Sequence, residues 1–275
     1  MELLAPAKVN LGLSVLHRRP DGYHQLHTLF AALRVGDRLW LEAIPEGIEL
    51  VVQGQGLPAD TDNLAYKAAR AYLDASGWPG GVRVVLEKNL PLAAGLGGGS
   101  SDAAAVLRAL ARLYPASLEL PRLALGLGAD VPFFLEPGLA EGRGVGEDLT
   151  PLPPLRAALL LVNPGIAVSA AEAYQGLTPE MWQPELDVAG ILAALQAGEE
   201  PPYWNTLERA VFRRYPYLKT LKEELRRLGL RGALMSGSGA TLFGLAADLA
   251  EAEYLAEVLR SRHPSFWVVA SETVS

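Results

Sequence analysis

Half of the 275 residues are hydrophobic and the net charge is −7, which suits a folded chain with cores for two ordinary domains and argues against a broad surface for nucleic acid or anionic membrane. A local basic funnel for a small anion stays open, while the lack of cysteine excludes a disulfide framework and a thiolate metal site. The start, Met1-Glu2-Leu3-Leu4-Ala5-Pro6, has neither the basic head nor the apolar core of a signal peptide, and no uncharged apolar run approaches membrane length, so the expected location is the cytoplasm.

From residue 9 to 16 the pattern alternates. Val9, Leu11, Leu13 and Val15 point one way and Lys8, Asn10, Gly12 and Ser14 the other, which predicts a half-buried strand. A lysine beside an amide suits an anionic ligand, although the strand alone favours a solvated face. Residues 18–22 predict a turn, and Tyr23-His24 open an extended stretch to about residue 33, a pair that by itself reads as packing or surface. Strands are expected at 39–43 and 48–52. A helix follows at 63–75, capped by Asp62 or Asn63 and stopped by Gly77 and Pro79. A strand at 82–87 then leads through Lys88-Asn89-Leu90 into a glycine run.

That run is Pro91-Leu92-Ala93-Ala94-Gly95-Leu96-Gly97-Gly98-Gly99-Ser100-Ser101-Asp102. Gly95, Gly97, Gly98 and Gly99 let backbone approach a ligand closely, so successive N–H groups can converge on an oxyanion. Ala103, Val106, Leu107, Leu110 and Leu113 keep three-and-four spacing and predict a helix, capped by Ser100 or Ser101, that ends at Tyr114-Pro115. A phosphate at such a helix start meets unpaired N–H groups and the positive end of the dipole. The run is not a P-loop, which needs Gly-Lys-Ser/Thr, and it lacks the third small residue and the downstream acid of a dinucleotide fingerprint. A flexible connector is the other reading, but connectors seldom abut a capped, periodic helix.

A short helix is expected at 121–127. Asp130, ahead of Val131-Pro132, reads first as a cap or turn residue. Residues 136–154 are rich in Gly and Pro, which predicts a domain connection near their end and separates 1–152 from 153–275. Beyond it come a strand at 157–162, a short helix at 170–175 and a helical stretch at 207–228 broken at Tyr215-Pro216. Strands at 232–235 and 241–245, a helix at 247–260 and a last strand at 266–270 follow. Strand, helix, strand, strand, helix, strand is the split βαβ order of a ferredoxin-like domain. The turn Ser236-Gly237-Ser238-Gly239-Ala240-Thr241 fits a plain hairpin as well as a phosphate contact. Two Gly/Ser turns in one chain, with a lysine and an aspartate besides, shift the balance toward an enzyme that handles phosphate.

Three of these stretches together resemble the GHMP kinases, the superfamily of galactokinase, homoserine kinase and the mevalonate kinases. Residues 91–104 look like its phosphate loop, 236–241 like its C-terminal glycine motif, and Pro6-Ala7-Lys8-Val9-Asn10-Leu11 like its first motif. Arg19-Pro20-Asp21-Gly22-Tyr23-His24 and Gly128-Ala129-Asp130-Val131-Pro132 are similar to the branch whose alcohol substrate carries a cytidine diphosphate and serves isoprenoid biosynthesis.

The resemblance implies a two-domain α/β (α+β) fold, with an N-terminal domain like that of ribosomal protein S5 and a ferredoxin-like C-terminal domain. It implies Asp130 as acceptor of the substrate hydroxyl proton, with Lys8 beside it keeping the carboxylate ionised and offsetting phosphoryl charge. ATP phosphates are implied on Pro91 to Ser101, with Mg²⁺ touching a loop serine directly or through water and its direct ligands left open. Tyr23 is implied to stack on the cytosine and His24 to read its edge, with Asn10 in the same cavity and Tyr174 as a second aromatic; Asn63 and Lys88 are implied at the nucleotide of ATP. Asp102 stands where some relatives carry an amide and is read as a first-turn residue facing away from the phosphates. The implied partners are ATP and the cytidine-linked polyol, without nucleic acid or membrane, for a monomer or weak homodimer. Two rivals remain: another small-alcohol kinase, for which Tyr23-His24 would have no reason, and a nucleotide-binding regulator without turnover, against which Lys8 and Asp130 count.

Overall fold

The computed structural model describes residues 1–54 and 59–274. Contacts divide the chain into two compact units that interleave along the sequence: Met1–Ala7, Val35–Leu90 and Gly97–Pro137 in the first, Lys8–Arg34, Pro91–Leu96 and Gly138–Ser275 in the second. This differs from a single cut near residue 152. Strands β1 (Glu2–Arg18) and β2 (His24–Ile44) each contribute to both units, and so does the glycine run. β2 is continuous where two strands were expected, because Gly36 and Asp37 do not turn the chain. Gly36 lays bare backbone on β1, where a Cβ would overlap Ala5 O, and Asp37 is fully buried.

In the first unit come β3 (Ile48–Gly54), α1 (Leu64–Ser76) and β4 (Gly81–Lys88). β4 runs parallel to β3, with α1 as the crossover, and antiparallel to the later half of β2, from Arg38 opposite Glu87 to Ile44 opposite Gly81. α2 (Gly98–Leu113) and α3 (Leu120–Leu127) pack on α1, and a 3₁₀ turn at Pro132–Leu135 packs on both of them. Small side chains allow this close approach. α1 buries Ala65, Ala68, Ala69 and Tyr72, while α2 is buried nearly all round from Ser101 to Leu107. The buried phenols are paired: Tyr72 donates to Tyr114 O at 2.7 Å and Tyr114 donates to Gly81 O at 2.6 Å.

In the second unit the early half of β2 pairs antiparallel with β5 (Leu139–Gly144), which pairs with β6 (Asp148–Leu152). The Gly/Pro-rich stretch, near whose end a connection was expected, is itself largely a hairpin. Next come β7 (Ala158–Asn163), α4 (Ala170–Gln175), α5 (Val188–Ala197), α6 (Glu208–Arg214) and α7 (Pro216–Arg227). β8 (Arg231–Met235), β9 (Leu242–Ala246), α8 (Leu249–Arg262) and β10 (Trp267–Glu272) complete it. The sheet order is β10-β7-β9-β8, antiparallel throughout, which is the ferredoxin-like arrangement. Leu160, Val162, Leu218, Leu221, Leu242 and Leu259 are part of its core. α5 was not foreseen, since Gly190 and the polar residues before it masked the pattern; Asp187 caps it through Gly190 N–H at 3.0 Å.

β1 departs from the half-buried strand that its alternation predicts. Both faces are covered from Ala5 to Val15, because segments of the second unit lie along its later part: Leu13 bridges to Asn205, and Gln183 N–H donates to Val15 O at 3.0 Å. The supposed solvent face thus becomes an interior polar strip.

Asn63 caps α1, its side chain accepting from Ala65 N–H at 2.9 Å. Asn63→Ala is expected to lower stability by about 1 kcal/mol in urea titration, the usual cost of losing such a cap.

Candidate active site

The polar strip of β1 carries Lys8 and Asn10, 4% and 1% exposed. The Lys8 ammonium donates to Asn10 Oδ1 at 2.7 Å and lies 5.2 Å from the centre of the Phe30 ring. Asn10 Nδ2 donates to Thr28 Oγ1 at 2.7 Å, and Thr28 donates to Gly12 O at 2.8 Å, so the amide orientation is set from behind. Two glycine turns meet this strip. Lys8 N–H donates to Leu96 O at 2.9 Å, Thr241 N–H to Ala94 O at 3.2 Å and Ser236 Oγ to Gly95 O at 2.9 Å. A Cβ on Gly95 would overlap Ser236 O, and one on Gly237 would lie 3.3 Å from Asn10 Oδ1 and 3.4 Å from Lys8 Nζ. Bare backbone is required there, next to a buried cation, which is a fit for an anionic ligand.

Within the first unit the glycine run starts α2. The cap is Gly97, left-handed at φ 69°, with no side-chain cap bond, so the expected serine cap is corrected. The first intrahelical bond is Ser101 N–H to Gly97 O at 2.9 Å, which leaves the N–H groups of Gly98, Gly99 and Ser100 ahead of it. Ser100 is half-buried. Ser101 Oγ is buried and, among the described residues, has no hydrogen-bond partner, a hydroxyl suited to a phosphate oxygen or a metal-bound water.

Lys88, expected at the nucleotide, is instead buried between two carboxylates. It pairs with Asp37 Oδ2 and, at 2.8 Å, with Asp102 Oδ2. Asp102 is therefore a buried ion-pair residue and not merely a first-turn complement to the dipole. Burial pushes its carboxyl up to about 7, with Lys88 opposing and Asp37 adding to the rise. Burial works against the Lys88 charge, but the two carboxylates outweigh it and hold the ammonium above its ordinary range.

Tyr23 is exposed, whereas His24 stacks on Tyr174 with ring centres 5.3 Å apart and planes at 20°. Burial, and after it the Arg18 charge, push the His24 imidazole below its ordinary value, so at neutral pH it is uncharged and can both donate and accept. Asp130 is half-buried in the turn between α3 and the 3₁₀ segment. Val131, and not Asp130, precedes that segment, with no side-chain cap bond.

Two family models match the chain: the GHMP kinases N terminal domain over residues 63–138 and the GHMP kinases C terminal region over 186–265. A 4-diphosphocytidyl-2-C-methyl-D-erythritol kinase from Thermus thermophilus is 56% identical over 95% of this chain and 93% of its own. One of the same name from Deinococcus radiodurans is 53% identical over 98% and 91%. The chain belongs to the GHMP kinases. A crystal structure of 4-(cytidine 5'-diphospho)-2C-methyl-D-erythritol kinase superposes with TM-score 0.93 at 52% identity, covering 100% of both chains. Homoserine kinase from Cytophaga hutchinsonii, at 21% identity and TM-score 0.74, shares the fold of this GHMP kinase.

Sequence reasoning missed the residues that brace these turns. Asn205 donates to Met235 O and Gly237 O, both at 2.7 Å, and accepts from Leu207 N–H at 2.9 Å. Before folding it looks like one more polar residue ahead of a helix. His27 was also missed: Nδ1 accepts from Leu186 N–H at 3.0 Å, so Nε2 carries the proton and donates to Glu141 at 2.9 Å.

The raised Asp102 carboxyl has a definite sign for stability. Unfolded, it titrates near 4 and, folded, at about 7, so the fold favours its protonated form. Its contribution is fully present below pH ~4 and is lost as pH rises toward ~7. Urea titrations should show the stability difference between wild type and Asp102→Asn moving in favour of the variant across that window.

Proposed function

We propose that the chain is an ATP-dependent kinase that phosphorylates the 2-hydroxyl of 4-diphosphocytidyl-2-C-methyl-D-erythritol in the making of isoprenoid precursors. The observation that carries this reading is the likeness, along nearly the whole chain, to kinases of that name at 56% and 53% identity. No described helix is long and apolar enough to cross a membrane. We place the enzyme in the cytoplasm, as a monomer or weak homodimer.

In the proposed reaction the substrate 2-hydroxyl oxygen attacks the γ-phosphorus, its proton passes to the Asp130 carboxylate, and the bond from γ-phosphorus to the β,γ-bridging oxygen breaks as ADP leaves. Lys8, oriented by Asn10, offsets charge on the transferring phosphoryl group. Pro91 to Ser101 hold the ATP phosphates, the backbone of Gly97, Gly98 and Gly99 donating where no side chain can. Mg²⁺, when bound with ATP, neutralises phosphate charge, with Ser100 or Ser101 as the hydroxyl toward it. Asn63 flanks the nucleotide while also capping α1.

Tyr23 and Tyr174 supply ring faces for the cytosine, and the uncharged His24 reads its polar edge. A ring face tolerates any base, whereas a half-buried hydrogen-bonding group loses its partner when the wrong base enters.

Asp130→Asn is expected to lower kcat by about 10²- to 10⁴-fold with ATP affinity little changed, measured by ADP release and calorimetry. Near-normal turnover would remove Asp130 from the chemistry. His24→Ala should raise KM for the cytidine substrate and narrow its preference over the uridine analogue. The comparison is kcat/KM for both substrates in wild type and variant, and an unaltered preference would remove His24 from base reading.

A further inference from the structure

The ion cluster in the first unit ties together the two ends of the glycine run. Asp37 Oδ1 accepts from Asn89 N–H at 2.6 Å and Leu90 N–H at 2.9 Å, the residues that lead into the run. Its other oxygen pairs with Lys88 Nζ, which also bonds Asp102 Oδ2 at 2.8 Å, in the first turns of α2. Gly98 lies directly on this cluster: a Cβ there would be 3.4 Å from both Asp37 Oδ2 and Lys88 Nζ. The side chains of Asp37, Lys88 and Asp102 are 0%, 2% and 3% exposed. A cluster so deeply buried is a poor source of stability, because the desolvation of three charged groups offsets most of their attraction, and apolar residues of similar volume would serve as well. What it does provide is a defined geometry with several directed bonds.

We infer that Asp37, Lys88 and Asp102 are positioning residues for phosphoryl transfer, holding the Gly97–Ser101 turn in the shape that binds ATP phosphates without touching ATP themselves. The inference rests on the reading of residues 95–101 as the ATP-phosphate loop. It reassigns Lys88 from nucleotide contact to support, and gives Asp37 and Asp102 roles that no motif assigns. Charge balance is part of the device. Two carboxylates face one ammonium, and Asp102 Oδ1 is buried with no hydrogen-bond partner among the described residues, so the cluster depends on Lys88 to offset its negative charge beneath an anionic ligand. Removing Lys88 would leave two buried carboxylates beneath the turn, and removing the Asp102 charge as well would relieve them.

The test measures KM for ATP, KM for the alcohol substrate and calorimetric affinity for a non-hydrolysable ATP analogue in wild type, Lys88→Met and Lys88→Met/Asp102→Asn. Lys88→Met should raise the ATP KM at least tenfold while the alcohol KM stays within about twofold, and the double variant should regain most of the lost ATP affinity. A support that served stability alone would lower the melting temperature and leave the ATP KM where it was, and that result overturns the proposal. Should Lys88→Met not fold, Lys88→Arg keeps the charge at a different reach. An ATP KM raised at least threefold with the alcohol KM unaltered then supports the proposal, and a wild-type ATP KM overturns it. Gly98→Val separates the two levels. If it leaves ATP affinity intact, the loop reading fails; if it weakens ATP binding while the Lys88 variants do not, the loop stands and the positioning role falls.

Discussion

In the second unit much depends on one close approach of backbone to backbone. Gly95 comes so near Ser236 that no other residue fits, and this contact joins the first half of the glycine run to the C-terminal glycine turn. Around it Ser236 Oγ donates to Gly95 O, Thr241 N–H to Ala94 O and Lys8 N–H to Leu96 O, so strand β1 is drawn into the same junction. Stretches more than 140 residues apart in sequence meet there through main-chain groups, with glycine as the condition for the meeting. Asn205 then spans two carbonyls of the C-terminal turn and keeps it from relaxing. The polar groups of this junction are satisfied mainly by one another, which gives it a fixed shape.

The two buried lysines show how environment separates roles that the sequence makes look alike. Lys8 donates to an amide oxygen and lies against an aromatic face. Lys88 faces two carboxylates that neutralise it. A cation that supports a turn can spend its field locally in this way. Lys8 lies within β1 and Lys88 closes β4, each beside a motif that reads as ligand-binding, so the local sequence alone could not separate them.

The C-terminal half was largely legible because its signals are local. Pro216 marked the break between α6 and α7, the Ser236–Thr241 turn joined two short strands, and the order of elements implied the ferredoxin-like sheet. Asn63 was legible as a cap for the same reason. What escaped depended on distant partners. The alternation of β1 looked half-solvated because the segments that cover its second face lie about 190 residues later. Asp37 fell in the gap between the stretch ending near residue 33 and the strand at 39–43 and drew no reading, because its partner Lys88 and, through it, Asp102 are brought near only by the β3-α1-β4 crossover and the start of α2. The glycine run announced a close approach and a helix start, but the cap proved to be Gly97 and not a serine, since a left-handed residue can begin a helix without side-chain help.

The placement of Asp102 resolves a difficulty that the sequence raises and cannot answer. A carboxylate five residues into the helix that starts at Gly98 would repel phosphates, and exposed residues escape that cost by turning into water. Asp102 turns inward, where Lys88 and burial act on it in opposite directions: the ammonium favours the charged form, burial the neutral one. Burial raises the carboxyl to about 7, and what negative charge remains is held against the Lys88 ammonium, inside the fold and away from the turn's ligand-facing side. An amide at this position would give much the same surface without the titration, which explains in physical terms how Asp and Asn can serve the same loop. The acidic version keeps one property the amide lacks, a charge state tied to that of Lys88 and Asp37.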